Sequence, residues 1–115
     1  MQPKKTKFLK QHRRRVSSNC SKGTTVCFGS YGFKSLESGY VTAKQIESAR
    51  KVISKRVKDI CKLWIRVFPD LSITKKPIEV RQGKGCGSID RWVAPVNCGT
   101  ILFEVSGINF NLVKE

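Results

Sequence analysis

A single long amphipathic helix is the strongest constraint that this sequence places on its fold. In residues 41–60, VTAKQIESARKVISKRVKDI, apolar residues recur at steps of three and four, as they do along one face of a helix. Thr42 and Gln45 occupy the N-cap and N3 positions of a capping box. The pattern therefore predicts a well-capped helix over residues 42–59. Its apolar face comprises Ala43, Ile46, Ala49, Ile53, Val57 and Ile60.

The opposite face of this helix is basic, and nearby acids do not balance its charge. Glu47 and Asp59 are the acidic residues of the segment. Such a stripe is ordinarily a solvated surface, but its excess of lysine is equally compatible with a surface that binds a polyanion. The stripe consists of Lys44, Ser48, Lys51, Lys55 and Lys58.

Short apolar segments on both sides of the helix predict strands. Residues 25–28 suit a short strand, and a turn punctuated by glycine follows at residues 29–33. Residues 62–68 alternate between two kinds of side chain, which indicates a strand with one face in the core. The apolar positions are Leu63, Ile65 and Val67, and the others are Lys62, Trp64, Arg66 and Phe68.

The second half of the chain completes the predicted architecture. Strands are expected at residues 78–81, 91–96 and 100–105, with a polar connection at residues 72–77. Pro95 suggests an edge strand or a bulge, because proline cannot donate a ladder hydrogen bond. The order of one strand, one helix and then several strands predicts an α+β fold with a mixed or antiparallel sheet rather than a regular βαβ repeat.

The charge of the chain narrows its function. In 115 residues there are 23 Lys and Arg against 8 Asp and Glu, a formal net charge of +15. Nucleic acid is the commonest partner of so basic a domain, and an acidic membrane surface is the second. The sequence has no run approaching the roughly 18 apolar residues of a membrane helix, and no secretory apolar segment follows its N-terminus.

The charge is concentrated at the N-terminus. Residues 1–22 contain eight of the 23 basic residues, no acid and few apolar residues, so they cannot bury enough surface to fold alone. We therefore expect a basic arm over residues 1–22 that orders against a polyanion, and an α+β domain over residues 23–115. A solvated tail or a targeting peptide is the alternative. The basic residues of the arm are Lys4, Lys5, Lys7, Lys10, Arg13, Arg14, Arg15 and Lys22.

The stretch VRQGKGCGSI, residues 80–89, alternates glycine with other residues. A phosphate-binding P-loop needs G-x-x-x-x-G-K-[ST] between a strand and a helix. The earlier glycine is absent here, and a predicted strand follows instead of a helix. We expect a hairpin loop that places cations and backbone N–H groups against phosphates, with a plain glycine-rich turn as the alternative. Its residues of interest are Arg81, Gly83, Lys84, Gly85 and Gly87.

Residues suited to catalysis or metal binding are sparse. His12 is the single histidine and lies in the arm, and the five cysteines form no C-x-x-C pair. Zinc sites usually use two closely spaced ligand pairs, and a nucleophilic cysteine normally needs a histidine. We therefore expect no enzyme activity, no catalytic residues, no metal and no cofactor. The cysteines are Cys20, Cys27, Cys61, Cys86 and Cys98.

Five segments of the sequence are distinctive: PKKTKF, CFGSYGFKSLESGYVTAKQIESAR, KLWIRVFPDLSITKKPIEVRQGKGCG, WVAPV and GTILFEVSGI. They resemble the bacterial-type large-subunit ribosomal protein sixteen, and the match runs from residue 3 to the end. The resemblance implies a compact α+β domain with a basic extension. It also implies a structural constituent of the large ribosomal subunit, which binds large-subunit rRNA and helps to position tRNA at the aminoacyl site near the peptidyl-transferase centre.

The resemblance, together with the charge pattern, suggests which residues contact RNA. We expect the glycine loop (residues 81–87) to face tRNA or the adjacent rRNA, through Arg81, Gly83, Lys84, Gly85 and Gly87. Neighbouring ribosomal proteins are the other expected partners, and a membrane is not. A free cationic nucleic-acid-binding protein outside the ribosome is the alternative function. The expected rRNA-binding residues are Lys4, Lys5, Lys7, Lys10, Arg13, Arg14, Arg15, Lys44, Lys51 and Lys55.

The sequence departs from the family pattern in three places. Cys86 replaces the second lysine of a G-K-G-K-G loop, and Tyr40 stands where a basic residue is usual. The family also has a long C-terminal helix, whereas this chain stops at NFNLVKE within the first turns expected of it. We expect that helix to be truncated. Either another chain supplies it or the sequence is a fragment.

The start of the match and the divergent loop bear on location. Because the family motif begins at residue 3, we expect no cleavable presequence. The five cysteines and Cys86 favour a ribosome encoded in an organelle, in the mitochondrial matrix before the plastid stroma. The bacterial cytoplasm is the other alternative.

Overall fold

A computed structural model of the protein describes residues 1–16, 19–57 and 61–108. Within these ranges the chain forms six strands and one helix, which confirms the predicted α+β class. The elements are β1 (Tyr31–Lys34), β2 (Gly39–Thr42), α1 (Ala43–Val57), β3 (Lys62–Ile65), β4 (Leu71–Lys75), β5 (Ser88–Val96) and β6 (Ile101–Ser106).

The strands form two three-stranded sheets, with the orders β1-β6-β3 and β2-β5-β4. Each named pair of strands is antiparallel, so the antiparallel alternative of the prediction is the one observed. The chain passes back and forth between the sheets, because β2 leaves β1 to pair with β5, and β4 leaves β3 to do the same. Only β4 and β5 are neighbours both along the described chain and within a sheet.

The core is formed by the helix and by strands of both sheets. Ile46 of α1 is 1% exposed and clusters with buried Ala94 and Val96 of β5 and Phe103 of β6. The half-buried Ala49, Ile53 and Val41 pack against this cluster. This arrangement confirms the predicted apolar face at Ile46, Ala49 and Ile53, whereas its last member, Ile60, lies outside the described residues.

The helix begins as predicted. The backbone N–H of Thr42 donates to Oε1 of Gln45 at 2.8 Å, and the backbone N–H of Gln45 donates to Oγ1 of Thr42 at 3.2 Å. These reciprocal bonds form the capping box and satisfy donors that have no partner within the helix. The predicted last turn includes Lys58 and Asp59, which lie outside the described residues, as do residues 109–115, where the truncated family helix was expected.

Two predictions near the N-terminal half were wrong. Residues 25–28 form no strand, because the N–H groups of Cys27 and Phe28 donate to the carboxylate of Glu104 instead of to a neighbouring strand. The first strand is instead β1, which begins at Tyr31 within the predicted turn and pairs with β6. Glycines in the segment suggested a turn, whereas pairing with a distant strand decides the structure.

Two predictions around the glycine loop were also wrong. The predicted polar connection at residues 72–77 is largely β4, in which Leu71 and Ser72 are buried. The predicted strand at residues 78–81 is a turn, in which the N–H of Val80 donates to the carbonyl of Pro77 at 3.3 Å. The sequence of β4 is too polar to predict a strand. Its pairing with β5 and the contact of Ser72 with the arm were not visible in that sequence.

Pro95 does not mark an edge strand, because β5 is the central strand of its sheet. The register with β4 reaches only Leu71 opposite Val93, so Pro95 lies beyond β4 and faces Tyr40 of β2. The missing N–H therefore removes no bond from the ladder between β4 and β5. The irregularity in that register lies between Ile73 and Thr74.

Candidate nucleic-acid interface

The basic arm lies against the β2-β5-β4 sheet, although residues 1–16 form no helix or strand. The hydroxyl of the buried Ser72 donates to the carbonyl of Leu9 at 3.0 Å. The hydroxyl of Tyr40 donates to the carbonyl of Arg14, whose guanidinium is 3.8 Å from the carboxylate of Asp70. Tyr40, where the resemblance led us to expect a basic residue, thus holds the arm through the arm's backbone.

The charged side chains of the arm remain accessible to solvent. All seven of its expected RNA-binding residues are exposed. Lys10 links the arm to the glycine loop, since its Nζ is 3.5 Å from the carbonyl oxygen of Cys86. The backbone tethers and the exposed cations together present a basic surface beside the loop. The seven residues are Lys4, Lys5, Lys7, Lys10, Arg13, Arg14 and Arg15.

The glycine loop joins the antiparallel strands β4 and β5, which pair as far as Lys75 opposite Ser88. At its tip three successive residues adopt positive φ, with values of 110° at Gly83, 51° at Lys84 and 84° at Gly85. Glycine adopts such a conformation without a Cβ penalty, whereas Lys84 is the one non-glycine residue with positive φ in the described part of the chain. This local geometry turns the loop sharply and presents Lys84 to solvent.

The base of the loop is tightly packed. A Cβ on Gly87 would overlap the carbonyl oxygen of Lys75, so this position requires glycine. The ammonium of Lys76 donates to the carbonyl of Gly83 and braces the tip. Lys76 was not among the predicted site residues, although its place just before the loop was a signal. Arg81 is exposed, so the loop displays two cations, one near its base and Lys84 at its tip.

The lysine stripe of α1 borders an open groove of 930 Å³. Lys44 and Lys51 line it from the helix, and Lys55 is exposed one turn further along. The groove also contains two acids, each of which is engaged by an arginine. Glu47 is 2.7 Å from Arg50, a hydrogen bond that lowers the pKa of Glu47 below its ordinary value. Asp90 is 2.8 Å from Arg91, so lysine dominates the remaining charge of the wall.

A buried carboxylate that was not predicted organises the other sheet. Glu104 of β6 is fully buried, and its oxygens accept N–H bonds from Cys27 at 3.2 Å, Phe28 at 2.6 Å and Gly29 at 2.9 Å. The guanidinium of Arg66 donates to the same carboxylate. A single acid in the apolar run ILFEVS, with an arginine in another predicted strand, was the available signal.

The donors around Glu104 determine its ionisation. Burial raises the pKa of this carboxyl. The N–H groups of Phe28 and Gly29, together with Arg66 and Cys27, lower it by more than burial raises it and bring it to about 2. The hydrogen bond with Glu104 also raises the pKa of the Arg66 guanidinium above its ordinary value. Glu104 and Arg66 are therefore both charged at neutral pH, and donors in fixed positions stabilise the carboxylate.

Comparison with known proteins identifies the family. The family model for ribosomal protein L16p/L10e matches residues 3–115. The chain belongs to this family. It is 50% identical over its full length to the large ribosomal subunit protein uL16 of Dichelobacter nodosus and covers 84% of that protein. It is 49% identical to uL16 of Karelsulcia muelleri and 48% identical to uL16c of Cyanidium caldarium, again over its full length, and covers 85% and 82% of them.

The resemblance drawn from the sequence is thus confirmed by membership in the L16p/L10e family. Within the described ranges, no three His, Cys, Asp or Glu residues are grouped so as to hold a metal ion. All five cysteines are free thiols. Over the same ranges, no helix of this L16p/L10e chain has the length and apolarity needed to cross a membrane.

Replacing Glu104 should make the folded state of this L16p/L10e chain less stable at neutral pH, and should make its stability less dependent on pH in acid. Because the folded-state pKa of about 2 lies below the ordinary 4.5, the carboxylate contributes stability above pH 4.5 that is lost as the pH falls toward 2. We expect Glu104→Gln to lower the midpoint of thermal unfolding at pH 7, followed by circular dichroism, by on the order of 5 °C. The gap between wild type and variant should narrow below pH 4.5.

The exposed acid Glu37 offers a matched control. Glu37→Gln should leave both the midpoint and its pH dependence close to those of the wild type. A Glu104→Gln chain that loses stability in acid as steeply as the wild type would show that another group carries the acid sensitivity.

Proposed function

We propose that this protein is a structural constituent of the large ribosomal subunit, where it binds large-subunit rRNA and helps to position tRNA at the aminoacyl site near the peptidyl-transferase centre. The observation that carries the proposal is the meeting of two basic segments on one protein surface. Lys10 of the arm contacts the backbone of the glycine loop at Cys86. The names of its uL16 relatives, which refer to the large ribosomal subunit, support the same assignment.

The proposed mechanism of rRNA binding is electrostatic. Lysine and arginine that contact phosphates release condensed counterions, which favours binding and makes it depend on salt. The arm supplies eight exposed cations, seven of which are the expected rRNA-binding residues, and the helix stripe adds Lys44, Lys51 and Lys55. Contacts of the arm with Ser72 and Tyr40 hold its backbone near the domain, which reduces the conformational entropy that ordering on RNA would cost. RNA shape rather than a code of base edges would set most of the specificity.

The proposed tRNA contact uses the tip of the glycine loop. Gly83 and Gly85 let the backbone approach a phosphate closely, Arg81 and Lys84 supply charge, and Gly87 supports the loop at its base. Cys86 replaces a lysine of the family pattern, so the loop has one cation fewer for this contact. The carbonyl of Cys86 instead accepts from Lys10, which brings an arm cation to the same place.

The location inside a cell is a separate proposal. We place the protein in ribosomes, with the mitochondrial matrix as the first expectation and the plastid stroma and bacterial cytoplasm as alternatives. The five cysteines and Cys86 motivate that order. Neighbouring ribosomal proteins would complete its surroundings.

Sedimentation of a native extract tests the assignment directly. An epitope-tagged copy of the chain should comigrate with large ribosomal subunits and dissociate from them only at high salt. Sequencing the rRNA of the tagged fraction identifies the compartment. Recovery of the chain only at the top of the gradient, or on DNA, would favour a free cationic nucleic-acid-binding protein.

Removing three arm charges should weaken rRNA binding and flatten its salt dependence. For the variant with Lys4→Ala, Lys5→Ala and Lys7→Ala, we expect the slope of log K against log salt to fall by about 0.7–0.9 for each phosphate that is no longer neutralised. Filter binding to purified bacterial large-subunit rRNA measures this slope. The matched control replaces the same lysines by arginine, which preserves charge and should preserve the slope. An unchanged slope in the alanine variant would exclude these residues as phosphate ligands.

Removing the charge at the loop tip should affect tRNA more than rRNA. Lys84→Asn suits this test, because asparagine tolerates the positive φ of 51° better than alanine does. We expect aminoacyl-site tRNA binding to large subunits reconstituted with the variant to weaken on the order of fivefold, with incorporation into the subunit unchanged. Lys84→Arg retains the charge and should bind tRNA normally. Equal tRNA binding by the asparagine variant would argue against the contact.

A further inference from the structure

The outer face of the β1-β6-β3 sheet carries an ordered set of side chains that the proposed function does not use. Gly32, Glu104 and Trp64 lie opposite one another across the three strands. Since side chains alternate along a strand, Lys62 and Arg66 share the face of Trp64. The strand register continues past β3, because the N–H of Arg66 donates to the carbonyl of Leu102 at 2.9 Å.

Residues 25–30 cover part of this face. A Cβ on Gly32 would lie 2.7 Å from Cγ2 of Val26, so the missing side chain makes room for the covering segment. The N–H of Ser30 donates to the carbonyl of Val105 at 3.0 Å and fixes its other end. The segment thus crosses the sheet in a defined position.

Phe28 stands at the exposed side of this segment. Its ring is stacked on Trp64, with 6.3 Å between the centroids and 23° between the planes. The guanidinium carbon of Arg66 lies 5.2 Å from the centroid of the Phe28 ring. Despite both contacts, Phe28 is 60% exposed.

The backbone that carries this ring is fixed. The N–H groups of residues 27–29 all donate to the buried carboxylate of Glu104, which also holds Arg66. The exposed ring is therefore held in one place by an anchored backbone, which distinguishes Phe28 from an exposed side chain on an unanchored segment. A pre-positioned aromatic ring loses little conformational freedom when it binds.

We propose that Phe28 is a stacking platform for one unpaired base of an RNA, with the exposed Lys62 available to an adjacent phosphate. This inference rests on the proposed function, because it takes RNA as the partner. Stacking on an aromatic ring accepts any base, and it commonly occurs beside arginine and lysine. The charge of the face fits a polyanion, since Lys62 is exposed and the acid of the same face, Glu104, is fully buried.

Replacing the ring should weaken RNA binding without changing its salt dependence. We expect Phe28→Leu to bind purified bacterial large-subunit rRNA about fivefold to a hundredfold more weakly in filter binding. The slope of log K against log salt should stay at the wild-type value, because the phenyl ring carries no charge. Phe28→Tyr retains an aromatic face and should bind like the wild type.

Phe33 provides a matched control, since it is 66% exposed and lies in the same sheet but on the opposite face, in register with Phe103. Phe33→Leu should leave the affinity for rRNA unchanged. An equal reduction in this variant would overturn the assignment to Phe28. Wild-type affinity in Phe28→Leu would also overturn it and would leave the ribosomal function intact, whereas an absence of RNA binding by the wild type would overturn both.

Ultraviolet crosslinking of the wild-type chain to the same rRNA gives a second measurement that does not depend on a folded variant. A crosslinked nucleotide within the tryptic peptide of residues 23–34, assigned to Phe28 by mass spectrometry, would support the platform. Crosslinks confined to other peptides, in a complex that forms with normal affinity, would contradict it.

Discussion

The buried carboxylate of Glu104 is the interaction on which one whole side of this structure depends. An isolated charge in the interior is costly, but this one accepts three backbone N–H bonds and one from Arg66. Those bonds use the donors of residues 27–29, which can then no longer pair as a strand. One side chain therefore sets the path of the covering segment and the position of Phe28 together.

This dependence explains which parts of the fold could be predicted from the sequence. The helix was predictable because its determinants are local: an apolar period and the capping pair Thr42 and Gln45. Strand β5 was predictable for a similar reason, since its apolar residues lie close together in sequence. Strand β4 was not, because Ser72 is buried by a contact with Leu9, which is 63 residues away. Residues 25–28 failed likewise, since they bond to an acid about 77 residues away.

The same difference between local and distant determinants applies to the candidate interface. Composition and spacing identified the cations of the arm, the helix stripe and the loop, and those that lie within the described residues are exposed. Their supports were not visible in the sequence, because each involves a backbone carbonyl that carries no residue-specific signal. Lys76 binds the carbonyl of Gly83, Tyr40 that of Arg14 and Lys10 that of Cys86. Tyr40 shows the difference most clearly, since it registers in the sequence as the loss of a charge and acts in the structure as a tether for charged neighbours.

Under the two proposals, the two sheets would offer RNA two different kinds of contact. The β2-β5-β4 sheet carries the arm and the loop, whose long cationic side chains act over about a Debye length and tolerate many phosphate positions. The β1-β6-β3 sheet carries a ring whose backbone is fixed by a buried charge. Contacts between cations and phosphates supply affinity without reading the sequence, whereas a stacking contact needs an unpaired base within reach of the ring. A chain of net charge +15 could bind RNA almost anywhere. A rigid platform anchored by Glu104 would favour sites at which an unpaired base lies beside the phosphates that the cations contact, and the stability of that anchor would then bear on where the protein binds as well as on how it folds.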